Sequence, residues 1–138
     1  MIASGRTPHT VADLMNPSPI SVAPETTVED AMHLMREKRI SSVMSQPGND
    51  GQWGIMTQRD VLSRIVAANR SPNSATVGEV ASKPLITVPA DMTLHECADR
   101  MSQSNIRRVA VVDAGGEPIG IISDTDIFAS VEHFGLPE

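Results

Sequence analysis

The segment from residue 10 to residue 66 is written a second time from 76 to 132, at a constant offset of 66 and without a gap. Thr10-Val11-Ala12-Asp13 returns as Thr76-Val77-Gly78-Glu79, Ile20-Ser21-Val22 as Ile86-Thr87-Val88, and Gly54-Ile55-Met56-Thr57 as Gly120-Ile121-Ile122-Ser123. Only 11 of the 57 aligned positions are identical, so the information lies in where the matches fall. They fall on helix caps, on apolar strand positions and on a paired Gly-x-x-[Ser/Thr]-x-x-Asp element that ends at Asp60 and Asp126. A period of this length means two copies of one supersecondary unit, with any ligand expected in the seam between them.

Local patterning gives the same element order in both copies. Thr10 and Thr76 each precede an apolar helix start and carry a carboxylate three residues on, the pattern of a capping box. Ile20–Val22 and Ile86–Val88 read as short strands, with β-branched side chains at the apolar positions. A longer helix follows Thr27 and Thr93. Its apolar residues, Val28, Ala31, Met32 and Met35 or Leu94, Cys97, Ala98 and Met101, keep the i, i+3, i+4, i+7 spacing of an amphipathic helix. The next strand pair is well marked in the second copy, from Val109–Val112 to Ile119–Ile122. In the first copy its opening strand, Val43–Ser45, is weak. A last helix opens at Thr57 or Ser123 and carries Val61, Leu62 and Ile65, or Ile127, Phe128 and Val131. The boundaries predicted are a tail at 1–9, repeats at 10–66 and 76–132, a linker at 67–75 and a tail at 133–138. The fold class expected is α/β, or α+β: two repeats related by a pseudo-two-fold axis, each a small sheet flanked by helices.

Several function classes are disfavoured by composition. A net charge of −6 is the wrong sign for a nucleic-acid partner, which needs a basic surface. No apolar run approaches the roughly 20 residues of a membrane span, so no membrane insertion is expected. Met1–Arg6 lacks the apolar core of a signal peptide. The single cysteine, Cys97, rules out an internal disulfide framework and suits a cytoplasmic setting. Cys97 also matches Ala31, a core position, which makes it a packing residue. His9, His33, His95 and His133 are scattered without metal-ligand spacing, so no metal site is expected. Neither a phosphate-binding loop lysine nor a catalytic acid–base pair can be named, and the chain is read as non-enzymatic.

The two in-register copies, their element order and the paired motifs Gly54-Ile55-Met56-Thr57-Gln58-Arg59-Asp60 and Gly120-Ile121-Ile122-Ser123-Asp124-Thr125-Asp126 resemble a tandem CBS pair, the domain named for cystathionine β-synthase. The resemblance covers residues 10–132, nearly the whole chain. It implies a stand-alone regulatory module with clefts between the repeats that bind an adenosine-containing ligand: AMP, ADP or ATP, with S-adenosylmethionine as an alternative. No other cofactor is implied. Two modules would associate as a homodimer, a four-repeat disc, and an unidentified effector protein would read the signal.

Residue by residue, Gly54 and Gly120 would let the strand backbone approach a flat ligand. Thr57 and Ser123 stand at a helix entry, where unpaired N–H groups attract oxygen atoms. Asp60 and Asp126 would accept the hydroxyls of a ribose, with Thr125 beside them. By the same resemblance Arg107 and Arg108 would reach phosphates, a role suited to planar guanidinium groups. Ile20, Val22, Ile86 and Val88 would wall the base. The first copy has Ser41-Ser42 where the second has the arginines, so one occupied site, at the second copy, is expected. Against this stands a reading in which [Ser/Thr]-x-x-[Asp/Glu] is only a helix cap, as at Thr10, Thr27, Thr76 and Thr93. The chain would then be a ligand-free dimerisation module.

Overall fold

Hydroxyls placed one residue ahead of helices set the geometry of this chain. Thr27, Thr57, Thr76, Thr93 and Ser123 each accept, at the side-chain oxygen, the backbone N–H three residues on. At all but Thr27 the carboxylate at that third position returns the favour to the cap backbone. At those four starts two backbone donors are thereby satisfied locally, and at Thr27 one.

The computed structural model describes residues 7–136. The first six residues of the expected N-terminal tail and the last two residues of the chain lie outside them. In chain order the elements are α1 (Val11–Leu14), β1 (Asn16–Pro17), β2 (Ser21–Val22), α2 (Val28–Lys38), β3 (Ser42–Ser45), β4 (Gly54–Thr57) and α3 (Gln58–Val61). Helix α3 runs on as one π-helical turn, Leu62–Val66, and a 3₁₀ turn, Pro72–Ser74, lies within the linker. Then come α4 (Val77–Val80), β5 (Thr87–Pro89), α5 (Leu94–Ser104), β6 (Arg108–Val112), β7 (Pro118–Ser123) and α6 (Asp124–Phe134). Helix α6 takes in His133 and Phe134, which the sequence assigned to the tail.

Packing divides the chain differently from the repeat. A central unit spans Ile20–Leu85, and a terminal unit joins the residues up to Pro19 to those from Ile86 onward. The opening helix of each repeat therefore packs with the body of the other copy. Hydrogen bonding shows why. Val11 N donates to Met92 O at 2.9 Å and Leu94 N to His9 O at 2.9 Å, so the starts of α1 and α5 satisfy each other's open backbone groups. In the central unit Val77 N donates to Thr26 O at 2.8 Å and Val28 N to Ala75 O at 2.9 Å, tying α4 to α2 in the same way. A four-residue helix has no stability of its own and forms only where such a partner exists.

In the central unit β2, β3 and β4 form a three-stranded sheet, β2 parallel and β4 antiparallel to β3. Strand β3, weak in sequence, is well formed: Val43, Met44 and Ser45 are buried, and the Ser45 hydroxyl is satisfied by the neighbouring Gln46 carbonyl at 3.2 Å. The core gathers Val28, Met35, Val43, Met56, Ile65 and, from α4, Val77 and Val80. In the terminal unit the sheet order is β1-β7-β6-β5, with the unforeseen strand β1 on the edge beside β7. Its core holds Val88, Leu94, Cys97, Val109, Ile122 and, from α1, Val11 and Leu14. Cys97 is fully buried, and burial pushes its thiol above the ordinary value. Leu62 and Phe128 depart from their expected core stripes. They are 61% and 74% exposed, because the last helix of each copy turns Ile65 or Ile127 inward instead.

The matched glycines serve the chain itself. A Cβ on Gly54 would meet the Ser82 carbonyl at 3.1 Å, the Ala81 methyl at 3.1 Å and Lys83 Cγ at 2.9 Å. On Gly120 it would collide with the Met15 sulfur. At both glycines the space a Cβ would fill is taken by the segment after α4 or α1. Gly54→Ala is expected to destabilise the fold by about 1–3 kcal/mol, because its neighbours include backbone. Gly120→Ala is expected to cost less, since the Met15 side chain can turn aside. Paired urea denaturation curves check this, and equal losses at both sites would contradict it.

Candidate functional site

The two Gly-x-x-[Ser/Thr]-x-x-Asp motifs fold alike and end differently. In each, a strand delivers the hydroxyl residue to the mouth of a helix, and the aspartate one turn later folds back on it. Asp60 Oδ2 accepts from Thr57 N at 2.9 Å and from the Thr57 hydroxyl at 3.1 Å. Asp126 Oδ2 accepts from Ser123 N at 2.9 Å. The remaining oxygens separate the copies. Asp60 Oδ1 accepts from the Ser82 hydroxyl at 2.9 Å, so both oxygens of that carboxylate are engaged within the chain. Asp126 Oδ1 accepts no hydrogen bond from any described residue. Ser82 pairs with Ile55, and the residue in the equivalent place, Asn16, pairs with Ile121. The asymmetry therefore comes down to a serine in one copy and an asparagine in the other. Sequence reasoning passed over Ser82, although comparing it with Asn16 at the repeat offset was a usable signal.

Around Asp126 the structure brings together part of the expected set. Gly120 is buried on β7, and Ser123 ends that strand, half-buried. Arg108 pairs directly with Ser123 in the β6–β7 register, which places the two on the same face of the sheet. Ile86 is 40% exposed, and its carbonyl accepts from Ala110 N. Val88 is a correction. At 1% exposure its side chain lies in the core of the terminal unit, on the face of β5 opposite Thr87 and Pro89, whereas Ile86 precedes the strand and stays partly outside. Thr125 is exposed, with its backbone N–H on Asp124 Oδ1 at 2.8 Å. Arg107, one residue before Arg108, is likewise set apart. It lines a groove of about 520 Å³ between α5 and α6, with Asp124 and Phe128. In the central unit Ile20 and Val22 are half-buried against the core.

Among the described residues no group of three His, Cys, Asp or Glu side chains is placed to hold a metal ion, and no helix is long and apolar enough to cross a membrane.

Comparison with known proteins follows the same lines. A family model for the CBS domain matches residues 11–67 and again 77–133. The chain belongs to the CBS-domain family. CBS pairs as a family are regulatory, nucleotide-binding modules. An uncharacterized protein of Methanopyrus kandleri is 34% identical over 108 residues; the match covers 78% of this chain and 55% of that protein, so the chain spans about half of its relative's length. The structure of a putative signal-transduction protein with CBS domains from Burkholderia ambifaria is 30% identical, with a TM-score of 0.80 over 94% of this chain and 98% of that one. A hexameric CBS-CP12 protein from bloom-forming cyanobacteria superposes with a TM-score of 0.82 at 27% identity, covering 94% of this chain and 75% of that one.

The capping carboxylates also fix a pH dependence. Asp13 is held below its ordinary value chiefly by the His9 backbone N–H and then by that of Thr10, and Glu79 and Glu96 chiefly by the cap N–H groups of Thr76 and Thr93. Asp50 is lowered in the same direction by the Gln52 N–H and then by Lys83. A carboxylate lowered on folding adds stability that is complete above roughly pH 5 and is lost as the pH falls below about 4. The melting temperature should therefore fall on acidification through that window. Glu96→Gln, which keeps the acceptor oxygen, should make the fall shallower, and an unchanged slope would remove Glu96 from the account.

Proposed function

We propose that this CBS pair is a non-catalytic sensor of an adenosine-containing ligand, with the ribose held at Asp126 in the terminal unit. The observation that carries the reading is the open Asp126 Oδ1 at a helix mouth whose twin, Asp60, is closed by Ser82. A carboxylate that already accepts a backbone N–H is fixed in orientation, and its second oxygen is positioned to accept a hydroxyl. A hydrogen bond to a charged acceptor is worth about 1.5–3 kcal/mol. Arg108, on the same sheet face as Ser123, supplies the charge for a phosphate in a chain that is otherwise acidic. Arg107, lining the groove beside Phe128, is the less suitable of the two. Ile86 supplies exposed apolar surface for the base.

AMP, ADP and ATP all meet these requirements; S-adenosylmethionine meets the ribose requirement alone. The ligand acts as a signal by favouring one arrangement of the repeats or of two chains, to the extent that it binds that arrangement better. Self-association is supported by the hexameric cyanobacterial relative. An effector protein reads the result in the cytoplasm.

Isothermal titration calorimetry of the intact chain against AMP, ADP, ATP and S-adenosylmethionine tests the reading. One ligand should bind with a stoichiometry near one. Asp126→Asn, which keeps an acceptor for the Ser123 N–H, should weaken it about tenfold to a hundredfold, whereas Asp60→Asn should leave it unchanged. Binding indifferent to Arg108→Ala would select S-adenosylmethionine over the nucleotides. No binding by any of the four would leave a dimerisation module whose motifs are helix caps only.

A further inference from the structure

Each opening helix is followed by a short segment that crosses the edge of its unit's sheet, and the two segments are fastened unequally. In the central unit Ser82 pairs with Ile55, and its hydroxyl closes on Asp60. Two further ties hold that segment. Lys83 Nζ reaches Asp50 Oδ2 at 3.1 Å, and Leu85 N donates to Trp53 O at 2.9 Å. In the terminal unit Asn16 and Pro17 pair with β7, but neither further tie can form. At the repeat offset Lys83 becomes Pro17 and Asp50 becomes Gly116, which leaves no ion pair. Leu85 becomes Pro19, which has no N–H to give.

This difference leaves Asn16 available beside Asp126. Asn16 lies opposite Ile121, and Ile121 and Ser123, two apart on β7, share one face of the sheet. Ser82 stands in the same relation to Ile55 and Thr57, and from there its hydroxyl spans to the spare oxygen of Asp60 at 2.9 Å. A side chain at position 16 therefore starts within a short reach of Asp126 Oδ1. A serine there would consume that oxygen. Asparagine is longer, is exposed, and its carboxamide bonds no described residue. A carboxylate oxygen that can only accept thus stands next to a carboxamide that both donates and accepts.

Those two groups match a vicinal diol. One hydroxyl donates to Asp126 Oδ1, and its neighbour is met by the carboxamide, which serves it as donor or acceptor. A carboxylate oxygen alone would secure one hydroxyl and be indifferent to the other. We propose that Asn16 is a ligand-binding residue which, with Asp126, reads both hydroxyls of a ribose, so that the terminal unit selects ribonucleotides over deoxyribonucleotides; this rests on the sensor reading above and adds to it the class of sugar accepted. A site built to hydrogen-bond a hydroxyl rejects the analogue that lacks it, because its own polar groups are then left unpaired. Position 82 spends its side chain on fastening, and position 16 spends its side chain on recognition.

Calorimetry of the full chain with AMP and ATP, each beside its 2′-deoxy and 3′-deoxy forms, tests this. The unmodified chain should bind the ribose form at least about tenfold more tightly than either deoxy form. Asn16→Ala should weaken the ribose form about tenfold and leave unchanged the deoxy form that already lacks the hydroxyl Asn16 contacts. A merely structural residue would weaken all forms alike. Asn16→Ser should also weaken the ribose form and, by engaging Asp126 Oδ1 as Ser82 engages Asp60, should raise the melting temperature without ligand. Affinities that Asn16→Ala leaves unchanged or lowers equally for all forms would overturn the proposal and leave the sensor reading standing. Ribose binding untouched by Asn16→Ser would overturn it in the same way. A chain that binds neither AMP nor ATP would overturn both.

Discussion

Everything in this fold hangs on the exchange of backbone hydrogen bonds at the helix starts. Val11 N to Met92 O and Leu94 N to His9 O lock α1 against α5, and the same exchange locks α4 against α2. A helix of four residues cannot pay its own nucleation cost, so these short elements exist because a neighbour completes them. Once docked, they contribute Val11 and Leu14 to one core, and Val77 and Val80 to the other. They also carry the following residues across the sheet edge, where Asn16 pairs with Ile121 and Ser82 with Ile55.

That edge is where structural symmetry turns into chemical asymmetry. The same capping box is built twice, and the same aspartate is oriented twice by the same backbone donor. What differs is the residue delivered beside it. A serine hydroxyl at 2.9 Å consumes the spare oxygen of Asp60, and no described group does so at Asp126. A duplicated unit can in this way keep one motif as a fastening and leave the other open for a ligand, with no change in the backbone that presents them.

Much of this was legible in the sequence, because caps and periodicity are local. Thr27, Thr57, Thr76, Thr93 and Ser123 start helices as their spacing to a carboxylate demands, and the stripe from Leu94 to Met101 buries Leu94, Cys97 and Met101 as its period demands. Where the reading went astray, a neighbour distant in sequence had intervened. Met15 fills the space beside Gly120, Val88 lies in the core while Ile86 does not, and Arg107, ahead of β6, lines the α5–α6 groove while Arg108 pairs with Ser123. Leu62 and Phe128 sit on apolar stripes too wide for one core, so one residue of each stripe is left outside.

By itself the sequence determined the duplication, the helix starts, the apolar stripes and the family, since each depends on residues a few positions apart or on a fixed offset. Only the tertiary structure decided that each opening helix belongs to the other copy's body, that Ser82 closes Asp60, and that the last helix of each copy leaves Leu62 or Phe128 in solvent. Those outcomes depend on pairs such as Asp60 with Ser82, 22 residues apart. Their encounter is fixed by which backbone donors find acceptors when the chain closes, and no local pattern encodes it.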